Sequence, residues 1–64
     1  MIPDRDIWQA ANLLIREHRG DAEIVAAKWA DEMLERGDRD EEIVWLRIRR
    51  AIVELQAAPV GKPN

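Results

Sequence analysis

The dipeptide Gly-Asp occurs twice in this chain of 64 residues, at Gly20-Asp21 and at Gly37-Asp38. Glycine readily adopts the left-handed conformation that ends many helices, and an aspartate beside it can accept hydrogen bonds from the first amides of the next helix. Each copy therefore predicts a helix end that is followed at once by a helix start. Two such junctions divide the chain into three helices with almost no linker.

Apolar side chains recur at helical spacing in all three segments and predict one buried stripe for each helix. We expect helix 1 from about Asp6 to Arg19, helix 2 from about Ala22 to Arg36, and helix 3 from near Arg39 to about Ala57. The predicted fold is all-α, a three-helix antiparallel bundle with a tight hairpin of helices 2 and 3 and with helix 1 packed across them. Residues 1–58 form this domain, and residues 59–64 form a flexible C-terminal tail.

An aspartate stands near the start of each predicted helix and is expected to act as its N-cap. These residues are Asp4, Asp21 and Asp38. Glu41 follows Asp38 by three residues and completes a capping-box pattern.

The three tryptophans fall one to each predicted helix and lie within the apolar stripes. They are Trp8, Trp29 and Trp45, and the chain has no Phe or Tyr. We therefore expect them to fill the centre of a shared core, so that replacing Trp29 or Trp45 with alanine costs about 3–5 kcal/mol. An aromatic ligand-binding box is the alternative, although three short helices rarely enclose a ligand-sized pocket.

Helix 3 has more apolar residues than one buried stripe requires. The stripe that faces the core consists of Trp45, Ile48, Ile52 and Leu55. Ile43, Leu46 and Val53 point elsewhere, which is unusual for a helix with one side in solvent. Either both other helices cover helix 3, or these three residues contact a second copy or another protein. The sequence thus predicts a small non-enzymatic protein-interaction module that self-associates through helix 3 as a homodimer or binds a foreign protein.

The strongest basic cluster of the chain also lies on helix 3 and consists of Arg47, Arg49 and Arg50. It defines the alternative hypothesis, a small nucleic-acid-binding regulator with Gly37-Asp38 as the turn of a helix-turn-helix. Two features argue against this. The net charge is −3, and the would-be recognition helix starts with acidic residues that phosphates would repel.

No motif in the chain indicates an enzyme, a cofactor or a metal site. His18 is the only histidine and cysteine is absent, whereas a catalytic metal needs about three protein ligands. The carboxylates between Asp31 and Glu42 border a turn, where solvation and capping explain them; an acidic docking surface is the alternative. Without a signal pattern or a long apolar run, the expected protein is cytoplasmic and has no membrane partner.

The segment from about Ile7 to Leu55 resembles an uncharacterised family of small helical proteins, found mostly in alphaproteobacteria and known only as a domain of unknown function. The positions behind this resemblance are Ile7-Trp8, Ala11, Leu14-Ile15, His18, Ala22, Ala26, Ala30-Asp31, Leu34, Gly37-Asp38, Trp45, Ile48, Ala51-Ile52 and Glu54-Leu55. The family pattern has glycine directly after the histidine, where this chain has Arg19. It also favours glycine after the second turn, near Glu42. The resemblance implies a three-helix fold and brings no assigned activity.

Overall fold

The structure, a computed structural model, describes residues 2–57, and over this range it is helical with no strand. Its elements are α1 (Asp4–His18), a 3₁₀ turn (Arg19–Asp21), α2 (Ala22–Glu35) and α3 (Arg39–Gln56). The all-α prediction is confirmed, and each helix boundary lies close to the predicted one. The predicted tail at residues 59–64 lies outside the described residues.

The junction between α2 and α3 has the geometry that the second Gly-Asp pair predicts. Gly37 has φ 77°, and its amide donates to the carbonyl of Leu34 at 3.0 Å. The amide of Asp38 donates to the carbonyl of Met33 at 2.9 Å, which completes a Schellman motif. The Asp38 carboxylate then accepts a hydrogen bond from the Glu41 amide at 3.1 Å. The predicted turn and the Asp38 cap are confirmed, but the capping box is only half formed, because the Asp38 amide donates to Met33 and not to the Glu41 side chain.

The first Gly-Asp junction ends one helix and starts the next as predicted, but the roles predicted for Gly20 and Asp21 were wrong. The residue with positive φ is Arg19 (φ 54°, ψ −121°), not Gly20. Asp21 makes no capping hydrogen bond through its side chain. Asp21 is the last residue of the 3₁₀ turn, and its backbone (φ −92°, ψ 0°) is not the extended conformation that an N-cap residue typically adopts. The α-helix therefore breaks at Arg19, and helical structure resumes at once in the 3₁₀ turn without a side-chain cap.

The start of α1 also differs from the predicted one. The N-cap is Pro3, in an extended conformation, and Asp4 is the first residue of the helix. The carbonyl of Pro3 accepts hydrogen bonds from the amides of Asp6 and Ile7 at 3.0 and 3.2 Å. Asp4 is therefore free to use its side chain elsewhere, and it contributes negative charge to the first turn of the helix, where the helix dipole favours it.

The two helices α2 and α3 run antiparallel as a hairpin. Glu23 near the start of α2 pairs with Arg49 in the second half of α3, at 3.1 Å. Trp29, further along α2, stacks on Trp45 in the first half of α3. As α2 advances, its contacts on α3 therefore move backward. The predicted tight hairpin of helices 2 and 3 agrees with these contacts.

Helix α1 crosses α3 obliquely. Its first residue, Asp4, pairs with Arg47, and the carbonyl of Arg19, just past its end, accepts a hydrogen bond from Gln56. As α1 advances, its contacts on α3 therefore move toward the C-terminal end of α3. These contacts cover a longer stretch of α1 than of α3. Because α1 passes into α2 through the 3₁₀ turn with almost no linker, the two form one helical segment that bends sharply at Arg19. The regular antiparallel three-helix bundle that the sequence predicts is therefore not clearly formed.

Small and branched aliphatic side chains form the core where the three helices meet. Its fully or nearly fully buried members are Ile7, Ala11, Ala22, Ala26, Ile48, Ala51 and Ile52. Trp8 and Trp29 are 37% and 41% exposed, and Trp45 is half-buried. The predicted tryptophan-filled core was therefore wrong. Alanines on facing sides allow the helices to approach closely, and large side chains then lie at the edges of the contact.

Candidate interaction surface on helix α3

Helix α3 is buried along one side only. Ile48 and Ile52 on that side are 5% and 0% exposed. On the opposite side, Ile43, Leu46 and Val53 are 38%, 41% and 43% exposed. The three residues that the sequence identifies as a partner or dimer face therefore lie on the solvent side of α3, together on one strip.

Arg50 completes this strip, which we call the outer seam of α3 (Ile43, Leu46, Arg50 and Val53). The intervals between its members are three, four and three residues, the a/d spacing of a coiled-coil heptad. At 3.6 residues per turn, this spacing keeps side chains on one side of a helix. The outer seam is thus arranged as a surface on which a second helix can pack, with one charged position in its middle.

An open groove runs along the outer seam and has charged residues on both sides. It is lined by Leu46, Arg49, Arg50, Val53 and Glu54. Arg50 donates through Nε to Glu54 Oε2 at 3.3 Å, one turn further along the same helix. By their positions on the helix, Arg49 flanks the seam on one side and Glu54 flanks it on the other. The groove therefore has the apolar Leu46 and Val53 on either side of Arg50 along its centre, a basic residue at one edge and an acidic residue at the other.

A second groove connects the outer seam to α1. It shares Arg50 and Glu54 with the first groove, and its other lining residues include Trp8 and Ala51. The exposed indole of Trp8 therefore extends the apolar surface sideways from α3. The apolar stripe of helix 1 predicts Trp8 in the core, so this role does not follow from the sequence pattern. The available signal was its neighbour Ile7, since adjacent residues on a helix cannot both face the same contact squarely.

Arg47, the first residue of the predicted nucleic-acid cluster, binds the start of α1. Its guanidinium donates to a carboxylate oxygen of Asp4 at 2.6 Å and to the carbonyl of Ile2 at 2.9 Å. The Arg47 side chain is only 27% exposed, whereas that of Asp4 is 84% exposed. Arg47 therefore links α3 to the beginning of α1 and has little surface left for a phosphate.

The other two arginines of the cluster also contact carboxylates. Arg49 donates through two nitrogens to Glu23 Oε2 on α2, at 3.2 and 3.1 Å. Arg50 pairs with Glu54 within α3. The three guanidinium groups thus point toward α1, toward α2 and along the outer side of α3, rather than forming one basic patch. Nucleic-acid binding stays a hypothesis from the sequence, and this arrangement does not favour it.

His18 lies exposed at the end of α1, with its Nε2 4.0 Å from a carboxylate oxygen of Glu17. In the part of the chain from residue 2 to residue 57, no group of three or more acidic or histidine side chains could hold a metal ion. Over the same residues, none of the helices is both long enough and apolar enough to span a bilayer.

Comparison with protein-family models, with curated proteins and with solved structures found no match for this chain. The resemblance to an uncharacterised helical family therefore stays a prediction.

Proposed function

We propose that this protein is a small non-enzymatic interaction module, a three-helix unit that presents the outer seam of α3 to another protein. The observation behind this proposal is that three aliphatic residues remain exposed at heptad spacing on the side of α3 opposite the core. Single exposed apolar residues are common on protein surfaces, but a regular row of them on one helix is typical of helix pairing.

The composition of the core supports the same proposal. Domains of this length often have a net stability of only about 3–5 kcal/mol, and here much of the core is alanine, which contributes little apolar area. Removing apolar surface from water contributes roughly 25 cal/mol per Å². Covering Ile43, Leu46 and Val53 would therefore stabilise a chain that can bury few large side chains by itself.

Site-specific photocrosslinking tests this proposal directly. A photoreactive amino acid is introduced at Leu46, in the outer seam, and in a second variant at Ile24. Ile24 is a suitable control because it is an apolar residue that is 67% exposed but lies on α2. Since both sites are exposed, neither change should disturb folding, and circular dichroism of each variant checks this.

We expect irradiation of cells that produce the Leu46 variant to give one protein adduct of defined mass, at a yield at least tenfold above that of the Ile24 variant. The mass of the adduct identifies the partner as a second copy or as a different protein. Equal yields at the two positions, or no adduct at Leu46, would contradict an interaction role for the outer seam.

A further inference from the structure

Resting on the proposed function of the outer seam, we infer that its partner is a second copy of this chain, with the two α3 helices parallel and in register. The apolar residues of the seam would accept many helices. The charged residues on either side of the seam select one partner and one orientation.

The flanking charges of the seam are opposite in sign and both reach solvent. Arg49 lies along one edge and Glu54 along the other, and their side chains are 46% and 53% exposed. A partner helix with flanks of one sign would be repelled along one of these edges. A second copy of α3 presents both signs, so it can match both edges at once.

Orientation follows from the same two residues. In the heptad of the seam, Arg50 is at position a and Val53 at position d, so Arg49 is at the flanking position g and Glu54 at the flanking position e. In a parallel pair of helices in register, position g of one helix lies opposite the position e that is five residues further along the other helix. Arg49 and Glu54 stand in this relation, so the symmetric pair contains the Arg49–Glu54 contact twice. In an antiparallel pair centred on the seam, like edges meet and Arg49 faces Arg49. The charges therefore favour the parallel arrangement.

The same pattern occurs one heptad earlier with Glu42 and Arg47, but there it is weaker. The side chains of Glu42 and Arg47 are only 16% and 27% exposed, whereas Arg49 and Glu54, although each is also paired within its own chain, are 46% and 53% exposed. We therefore assign the selection of the partner mainly to Arg49 and Glu54, on the C-terminal half of α3.

Arg50 limits how tightly two copies bind. It occupies the central a position, so a parallel pair brings the Arg50 side chains of both copies together. The Glu54 carboxylate within each copy, at 3.3 Å, offsets part of this repulsion. A charged residue at a single a position lowers stability while it fixes the register. The seam also spans only about three helical turns, a much smaller contact than the roughly 20–30 residues a side that bury about 800 Å² per partner in a standard interface. The dimer is thus weak and depends on protein concentration.

Cysteine crosslinking tests the orientation, because the chain contains no cysteine of its own. Three single variants are prepared: Ile43→Cys and Val53→Cys in the outer seam, and Ile24→Cys on α2 as the control for random collisions. Each is oxidised alone, and the two seam variants are also oxidised as a mixture. The two seam positions are ten residues apart, about 15 Å along a helix, so the crosslinks distinguish the orientations.

For the parallel pair in register, Ile43→Cys and Val53→Cys each crosslink to themselves at least tenfold faster than Ile24→Cys. The mixture gives no mixed dimer above the control rate. Rapid mixed dimers with slow self-crosslinking would show an antiparallel pair and overturn the inference. Rates equal to that of Ile24→Cys for every combination would also overturn it.

If the crosslinking rates overturn the inference, the photocrosslinking experiment still tests the proposed function separately. A photocrosslinked adduct at Leu46 with a different protein would uphold the proposed function, and the absence of any adduct would reject both proposals.

Discussion

The indole rings of Trp29 and Trp45 stack with their centroids 5.9 Å apart and their planes inclined by 23°. The pair joins α2 to α3, but Trp29 is 41% exposed, so the stack lies at the edge of the helix contact rather than in its centre. Ile52 and the alanines around it occupy the centre of the helix contact. This arrangement makes the aromatic residues less important for stability than their size suggests.

Truncating Ile52 should therefore destabilise the protein more than truncating Trp29. We expect Ile52→Ala to cost about 3 kcal/mol, since Ile52 is fully buried and its removal leaves a cavity. Trp29→Ala should cost about 1–2 kcal/mol, for the lost stacking and the partial burial of the ring. Urea unfolding followed by circular dichroism measures both. A larger loss for Trp29→Ala than for Ile52→Ala would show that the indoles, not the aliphatic residues, form the core.

The glycines of the two junctions should respond differently to substitution by alanine. Gly37 has φ 77°, where a side chain is strained, so Gly37→Ala should destabilise the protein by about 1–2 kcal/mol. Gly20 has no positive φ, and an added Cβ would meet no atom within 4 Å. Gly20→Ala should thus be neutral or stabilise by up to about 1 kcal/mol. Melting temperatures that fall equally in both variants would contradict the structure of the first junction.

Arg19 is the residue at which the first junction stores backbone strain. With φ 54° and ψ −121°, it occupies a region that glycine adopts far more readily than other residues. We expect Arg19→Gly to raise the stability by about 1 kcal/mol, which corresponds to roughly 4–8 °C in a domain of this size. A melting temperature below that of the parent would show that Arg19 is not strained or that its side chain is needed.

The arginines of α3 should differ in their contribution to stability. Arg47→Gln removes an ion pair and a hydrogen bond that join α3 to the start of α1, and we expect a loss of about 1 kcal/mol. Arg50→Gln removes only an exposed pair within α3 and should change the stability by less than about 0.5 kcal/mol. Urea titration compares the two. Equal effects would mean that the contact of Arg47 with Asp4 does not form in solution.

The turn between α2 and α3 was predictable because its signal is local. Gly37 and Asp38 form the Schellman motif and the N-cap with residues at most five positions away. The same dipeptide at Gly20-Asp21 is compatible with either a capped break or a 3₁₀ turn. The choice between them depends on how α1 packs against α3, and the sequence pattern does not contain this information.

The depth of a side chain was harder to predict than its direction. Periodicity placed Ile43, Leu46 and Val53 away from the core stripe of α3, and all three are exposed, but it wrongly placed Leu55, which is 43% exposed, within that stripe. It could not show that alanines bring the helices too close for Trp29 to enter the core. It also could not show that Arg47 reaches Asp4, a residue 43 positions earlier in the chain. Such contacts depend on how the helices cross.

Sedimentation equilibrium of three purified proteins tests most directly whether the outer seam of α3 is the interface: the parent chain, Leu46→Glu in the seam, and Ile24→Glu on α2 as the matched control. We predict a reversible monomer–dimer equilibrium for the parent and for Ile24→Glu, and a monomer at every concentration for Leu46→Glu, with unchanged helical circular dichroism in all three. A Leu46→Glu protein that dimerises as strongly as the parent, or a parent that stays monomeric at millimolar concentration, would contradict self-association through this seam.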